Sequence, residues 1–439
     1  MKPEGRLWRN GSLVCKFIGG FSEERGRAGP AGLGFSLTKV DHLKLMENIE
    51  DLLPMDVSVA TLVGRVFDPE VDGPCVVVVR GDMLVDISYD FPTVSDILES
   101  TDPVGGCRSS QGGRTWNLRS VLMNSISEEA EGVRLLAPID LSVIKAAGVT
   151  FTSSLRERLV EEQAGGDPAR SEEIRSELDT LIGADIGSIT PGSARATLLK
   201  ADLQARGMWS QYLEVGIGPD PEVFTKAAVL SAVGCGQQVG VSTISAWNNP
   251  EPEIAIAVTS TGKIVAATLG NDVNLRDIEG RSALLLPRAK DNNASASVGP
   301  FLRLLDEHFT LDDIRGAEVT LEVRGEDDGF VMAGVSQMKL ISRDPTDLAA
   351  HAMSRDHQYP DGFLLYLGTL FAPTDDRDGG GKGFTHHVGD IVKISSPRLG
   401  TLVNRVTYSH LAPRWEFGIR DLMRNLARRG LVSQVGKGS

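Results

Sequence analysis

The chain has 439 residues, of which 41% are hydrophobic and 24% charged, with a formal charge of −14 and a pI near 5.1. Such a chain can bury a large core and divides most naturally into two domains, while its charge repels nucleic acid and anionic membrane surfaces as partners. No apolar run approaches the roughly 18 residues of a membrane span, and the first residues lack the apolar core of a signal peptide. Four cysteines, Cys15, Cys75, Cys107 and Cys235, show no CxxC spacing, which suits a reducing, cytoplasmic setting.

Residues 1–54 are glycine-rich and of mixed charge, and read as an extension of unknown role. Apolar patterning over 60–67 and 75–88, with Arg80-Gly81-Asp82 as a turn, predicts a hairpin that opens a small β-rich domain over 55–134. Residues 101–114 read as a loop, and a catalytic domain is expected over 135–432. Within it the stretch 153–207 turns helical: Leu155, Leu159 and Val160 share one face, Ile174, Leu178 and Leu181 another, and Pro191 is placed to open a third helix ending near Gly207. That excursion suits a lid or cap, and equally an outer packing layer or a dimer contact. After Gly234, β patterning dominates as far as Val406. An amphipathic helix spans 418–430, and 433–439 is a polar tail.

The chemistry concentrates in Glu251-Pro252-Glu253 and in 270–277, Gly-Asn-Asp-Val-Asn-Leu-Arg-Asp. On a strand, Glu251 and Glu253 leave the same face, with bases about 7 Å apart. A hairpin over 254–269, turning at 260–263, would return Asp272 beside them. Three carboxylates are hard oxygen donors that suit Mg²⁺, Mn²⁺ or Ca²⁺ better than zinc, and no histidine lies between Glu251 and Asp277. Taken alone, a Glu-x-Glu is more often a solvated strand face. The nearby segment 280–295 places Lys290 and small polar groups after an apolar run, a layout suited to an anion-binding rim. Lys290, Lys226 and Arg276 are the cations available to a small anionic substrate, although Arg276 reads better as a structural ion pair with Asp277.

Several motifs fall away. The glycine-rich 378–383 fails the phosphate-loop pattern, because Asp376 and Gly383 stand where Gly and Ser or Thr are needed. Adjacent His386 and His387 would point to opposite faces of a strand and make a poor metal pair. His357 suits a turn better than a pocket. Gly234-Cys235-Gly236 lacks the spacing of a dinucleotide fingerprint.

The remaining motifs keep a common order. Pro221-Glu222-Val-Phe224-Thr-Lys226, Glu251-Pro-Glu253, Asn271-Asp-Val-Asn-Leu-Arg-Asp277, Lys290, Gly368-Thr369, Gly389-Asp390 and Gly400-Thr-Leu-Val-Asn404 together resemble the fumarylacetoacetate hydrolase superfamily. The wording of 247–253, 270–281 and 290–295 is similar to its bacterial 2-keto-3-deoxypentonate dehydratases, with the likeness running over about 58–432. The resemblance implies an α+β fold: a mixed β-roll catalytic domain with a helical insertion and a small β-rich N-terminal domain, assembled as a homodimer or dimer of dimers. It further implies Mg²⁺, with Mn²⁺ or Ca²⁺ as substitutes, on Glu251, Glu253 and Asp272. Glu222 and Lys290 would be catalytic, and Lys226, Ser295 and Thr369 would bind a 2-oxo sugar acid. The reaction implied is loss of water from a 2-keto-3-deoxypentonate to give 2,5-dioxopentanoate, in non-phosphorylative pentose catabolism. Where the hydrolytic members carry a water-activating His-x-x-Glu pair, this chain has Ser154 and Glu157. A serine is no general base near neutral pH without its own activator, which favours a lyase over a hydrolase. A hydrolase or decarboxylase of a 2,4-diketo acid on the same metal core, and a non-catalytic sugar-acid binder, are the alternatives.

Overall fold

Runs of valine, isoleucine and leucine set the architecture. The computed structural model describes residues 48–432 apart from 128–130, 166, 172, 175–188, 206, 208, 371–372 and 380–382. The expected extension up to residue 47, Leu178, Leu181 and the tail from 433 therefore lie outside the described residues. All described residues fall in one compact unit, Asp41–Ser439.

The chain opens with β1 (Leu62–Asp68), β2 (Gly73–Arg80) and β3 (Met83–Asp86), and the turn between β2 and β3 lies at Gly81-Asp82, as expected. Two short helices follow, α1 (Val94–Leu98) and α2 (Pro103–Ser109). The second corrects the expectation of a loop over 101–114. Asp102 caps it by accepting from the Gly105 N–H at 2.8 Å, and Pro103 supplies a pre-set φ at the first helical position, which outweighs the weak helix propensity of its two glycines. Then come β4 (Thr115–Asn117), α3 (Leu118–Ser125), β5 (Arg134–Leu136) and β6 (Val143–Gly148).

Helix α4 (Thr152–Ala164) starts where the Ser154 hydroxyl accepts from the Phe151 N–H and donates to the Phe151 carbonyl, and it stops at Gly165 with φ 64°. Helix α5 is Ala194–Ala205 and α6 is Gln211–Ile217. The expected opening of α5 at Pro191 is thus displaced, because Ser193 accepts from the Ala196 N–H at 3.2 Å and sets the start. Leu155, Leu159 and Val160 of α4 pack with Leu203, Tyr212, Leu213 and Ile217 in a small core of their own.

Strands dominate from here: β7 (Glu222–Ala227), β8 (Gln238–Val241), β9 (Asn248–Asn249), β10 (Pro252–Val258), β11 (Ile264–Asp272) and β12 (Asn274–Leu275). Short α7 (Arg276–Glu279) and α8 (Leu286–Lys290) precede β13 (Ala296–Leu304). After α9 (Leu311–Arg315) come β14 (Glu318–Arg324), β15 (Val331–Gln337), α10 (Pro345–Ala352), β16 (Phe363–Tyr366), β17 (Ile391–Ser396), β18 (Gly400–Tyr408) and α11 (Ile419–Arg428).

One large sheet runs β4-β3-β2-β1-β13-β11-β10-β16-β6-β7, with β5 beside β1, and a second runs β15-β14-β17-β18-β8. All pairs in the large sheet are antiparallel except β16 with β6. The sheets pack face to face, β13 and β11 on β18 and β17. Strand β14 alternates, with Val319, Leu321 and Val323 inward and its charged residues outward. Strand β10 is buried on both faces: Ile254 and Ile256 meet the second sheet, while Ala255 and Ala257 face a separate core containing Ile97 and Leu364. Burial of each such aliphatic side chain contributes about 1.5–3 kcal/mol. The site hangs from the end of this doubly buried hairpin, so its carboxylates start from rigid backbone.

Candidate active site

The β10–β11 hairpin turns as its sequence dictates. Thr259 and Lys263 close it, and Gly262 supplies φ +83°. Register pairs Pro252 with Asn271, and the Asp272 N–H donates to the Glu251 carbonyl at 3.0 Å. Glu251, Glu253 and Asp272 consequently converge, each offering a carboxylate oxygen within 4.8 Å of the others, all buried.

Other elements deliver cations to this trio. Lys290, the last residue of α8, places Nζ 2.5 Å from Glu251 Oε2 and 3.2 Å from Asp272 Oδ2. Lys226 on β7 lies 2.7 Å from Asp272 Oδ1 and donates to the Val273 carbonyl at 2.9 Å and to the Lys290 carbonyl. Ser295 Oγ sits 3.4 Å from Lys226 Nζ and donates to the Lys290 carbonyl at 2.8 Å, so it closes the α8–β13 loop. At the end of β16 the Gly368 N–H donates to Glu253 Oε2 at 2.6 Å, with Thr369 Oγ1 3.4 Å from Glu253 Oε1. Alternation along β7 puts Glu222 and Phe224 on one face, and Lys226 stands at the register shift that follows. Lys290 Nζ is 5.7 Å from the Phe224 ring centre. Glu222 lies over the backbone of its register partner Gly148, where a β-carbon would stand 1.9 Å from Glu222 Oε2.

Lys290 is thus no exposed anion-binding rim but a buried ammonium held by carboxylates. A second correction concerns Arg276, whose partner is not Asp277. Its Nε reaches Glu161 Oε1 at 2.6 Å, Nη2 reaches Glu157 at 3.3 Å and Nη1 donates to the Pro373 carbonyl, over the Trp247 ring. Asp277 instead accepts from Ser245 Oγ and the Ala246 N–H. Adjacent side chains on the short α7 diverge by about 100°, so the helix sends Arg276 to α4 and Asp277 outward. His386 and His387 do part, but from irregular backbone rather than a strand: His386 meets Asp390 at 3.0 Å, and His387 meets Asp327 and Asp378. His357 closes a turn with Ser354.

Arg158 was not foreseen. From α4 its guanidinium reaches Glu251 Oε1, Glu161 at 2.5 Å and Glu279 at 3.0 Å, and it is buried throughout. The sequence signal was a charged helix face, which by itself reads as solvated; only the packing of α4 against α7 buries it. Gly280 permits that approach, since a β-carbon there would lie 2.8 Å from the Glu161 carbonyl oxygen.

Seven carboxyls, Glu157, Glu161, Glu222, Glu251, Glu253, Asp272 and Glu279, therefore meet four cations, Arg158, Lys226, Arg276 and Lys290. Burial alone would raise the Glu251 carboxyl, yet Lys290 and Arg158 outweigh it and hold Glu251 at about 2. Burial, then Asp272 and Glu251, push Glu253 well above the usual carboxylate range. Glu222 is raised by burial against the pull of Arg158 and Lys290. Burial lowers Lys226, whereas Asp272 and Glu251 overcome the burial of Lys290 and keep it raised. An all-oxygen donor set with excess buried negative charge fits a hard divalent cation.

Residues 220–407 match the family model of the fumarylacetoacetate (FAA) hydrolase C-terminal domain. The chain is 33% identical over 186 residues to the 2-dehydro-3-deoxy-D-arabinonate dehydratase of Saccharolobus solfataricus, covering 42% of this chain and 58% of that one. It is 33% identical over 202 residues to a probable 2-keto-3-deoxyxylonate dehydratase of Haloferax volcanii, covering 46% and 65%. The chain thus spans about three fifths of the length of these relatives. Among solved structures, 2-keto-3-deoxy-D-arabinonate dehydratase in its apo form superposes with TM-score 0.55 at 21% identity, over 79% of this chain and 99% of that one. The same enzyme complexed with magnesium and 2,5-dioxopentanoate gives TM-score 0.54 with the same coverage. The mixed α+β fold expected from the motifs is the fold these structures share.

Proposed function

We propose that this protein is a metal-dependent hydro-lyase that removes water from a 2-keto-3-deoxypentonate to give 2,5-dioxopentanoate. The observation that carries the reading is the buried convergence of Glu251, Glu253 and Asp272 beside Lys290 and Glu222. The named activities of the two relatives support it.

A divalent cation, Mg²⁺ by the hardness of the donors, would be held by Glu251, Glu253 and Asp272, and when bound supplies Lewis-acid stabilisation of charge developing on a 2-oxo acid. Glu222 takes the proton from carbon 3 as general base, its burial having raised its proton affinity toward that task. The carbon 4 hydroxyl leaves with a proton as water to give the carbon 3–carbon 4 alkene; loss of a carbon 5 proton and protonation at carbon 3 then give the carbon 4–carbon 5 enol, whose tautomerisation yields the terminal aldehyde. Lys290 holds the negative charge of the substrate, and Thr369, beside Glu253, offers its hydroxyl to the substrate carboxylate. Lys226 and Ser295 hold Asp272 and the Lys290 backbone in place, and in this reading bind the substrate from that side. The positions of the hydrolase pair are occupied otherwise: Ser154 caps α4 and Glu157 pairs with Arg276. Neither is placed to activate water, which disfavours the hydrolase reading.

The test is product analysis by mass spectrometry on a panel of 2-keto-3-deoxypentonates and 2,4-diketo acids, with Mg²⁺ and with chelator. Loss of one water, dependent on metal and abolished in Glu253→Ala, is expected. Glu222→Gln should lose turnover while still binding metal. A split carbon chain, or activity indifferent to chelator, overturns the proposal.

A further inference from the structure

We propose that Arg158 is a positioning residue that couples the seating of helix α4 over the site to metal loading, by holding the metal-ligating carboxylate Glu251. The inference rests on the metal reading above and adds a residue and a coupling to it.

The geometry is specific. Both oxygens of Glu251 meet cations, Oε1 the guanidinium of Arg158 and Oε2 the ammonium of Lys290. Lys290 comes from α8 in the same loop-and-strand framework as Asp272, which it also touches. Arg158 comes instead from the helical excursion, ninety-three residues away in sequence. Among the described contacts it is the link by which α4 grips a member of the trio directly, while Arg276 carries a parallel link from Glu157 and Glu161 to the carbonyl of Pro373 in the loop beyond β16. Near the start of α4, the Ser153 hydroxyl donates to the Leu370 carbonyl at 3.3 Å, next to Thr369. The helix therefore borders the strand end that holds Glu253.

A divalent cation at the trio and the guanidinium of Arg158 both draw on the charge of Glu251. Two positive charges sharing one buried carboxylate repel each other strongly, since little water screens them. Metal entry thus weakens the hold of Arg158 on Glu251 and shifts Arg158 toward Glu279 and Glu161, its other partners. Reciprocity follows from linkage: whatever loosens Arg158 from Glu251 tightens metal binding, and metal binding alters how α4 is seated.

The test measures Mg²⁺ or Mn²⁺ binding by calorimetry on metal-stripped full-length protein, and KM and kcat for the pentonate that the wild type turns over. In Arg158→Gln, removal of the competing charge should tighten metal binding by about threefold or more, while loss of the helix tie raises KM by about tenfold. Arg158→Lys, which keeps the charge, should restore much of the KM. Glu279→Gln removes one of the two other carboxylates that hold Arg158, leaving Glu161, and should weaken metal binding, the opposite sign, which keeps the coupling testable if Arg158→Gln fails to fold. A merely structural arginine would weaken metal binding and lower kcat together. Metal affinity in folded Arg158→Gln that is unchanged or weaker, or a KM equal to wild type, overturns the proposal. Absence of metal binding in the wild type overturns the metal reading itself, and this inference with it.

Discussion

The backbone N–H of Gly368 lies 2.6 Å from Glu253 Oε2, although 115 residues separate them. That bond fixes one oxygen of a carboxyl that burial, Asp272 and Glu251 push well above its ordinary range. It also explains why a glycine stands at the strand end. Gly368 has φ +103°, and a β-carbon there would lie 1.8 Å from Thr150 Oγ1, which itself donates to the Leu367 carbonyl at 2.6 Å.

Gly368→Ala should therefore cost about 2 kcal/mol or more through strain at positive φ and the clash with Thr150. Metal affinity should fall as well, because Glu253 loses its fixed donor. Thermal unfolding and calorimetric titration with Mg²⁺ check both. A variant with wild-type stability would refute the strain argument.

Lys226→Met should destabilise the metal-free protein by about 3–5 kcal/mol, because a wholly buried ammonium that meets Asp272 and two carbonyls is removed and Asp272 keeps only Lys290 as a counter-charge. Urea denaturation reads the loss. Adding Asp272→Asn in the same chain should recover part of it, since the carboxylate that lost its nearer cation disappears too. Strict additivity of the two substitutions would show that the pair does not interact.

Activity should rise with pH along an acidic limb set by Glu222. Burial raises this carboxyl above its ordinary 4.5, and only its deprotonated form accepts the carbon 3 proton. The sign for stability is the reverse: an acid bound more tightly by the folded chain lends stability at low pH, and that contribution declines as pH rises through the raised value. The measurement is kcat/KM against pH at saturating Mg²⁺. A limb at or below 4.5, or one unmoved in Glu222→Asp, removes Glu222 as the titrating base.

Much of the site was legible because it is local. Glu251, Glu253 and Asp272 lie on one hairpin, and a period of two plus the turn at 260–263 suffice to bring them together. Lys290 follows within eighteen residues of Asp272. The ordered motifs from Glu222 to Asn404 lie within the residues that the family model matches, and their resemblance implied the mixed α+β fold. Short-range caps were harder to read. Asp102 and Ser193 start helices where the nearby glycines and Pro191 suggested otherwise, because one side-chain hydrogen bond at a helix end outweighs weak propensity along its length.

What the sequence determined by itself is the set of chemical groups and the strand hairpin that presents three of them, since both depend on neighbours a few residues apart. The tertiary structure decided their electrostatics. It brought Arg158 and Arg276 of distant helices to face Glu251, Glu161 and Glu279, sent Arg276 away from its neighbour Asp277, and turned Lys290 from an expected rim into a buried counter-charge. Burial in low dielectric is the physical reason. A charge on a helix face reads as solvated until another element packs over it, and only then must every charge in the cluster answer to its neighbours.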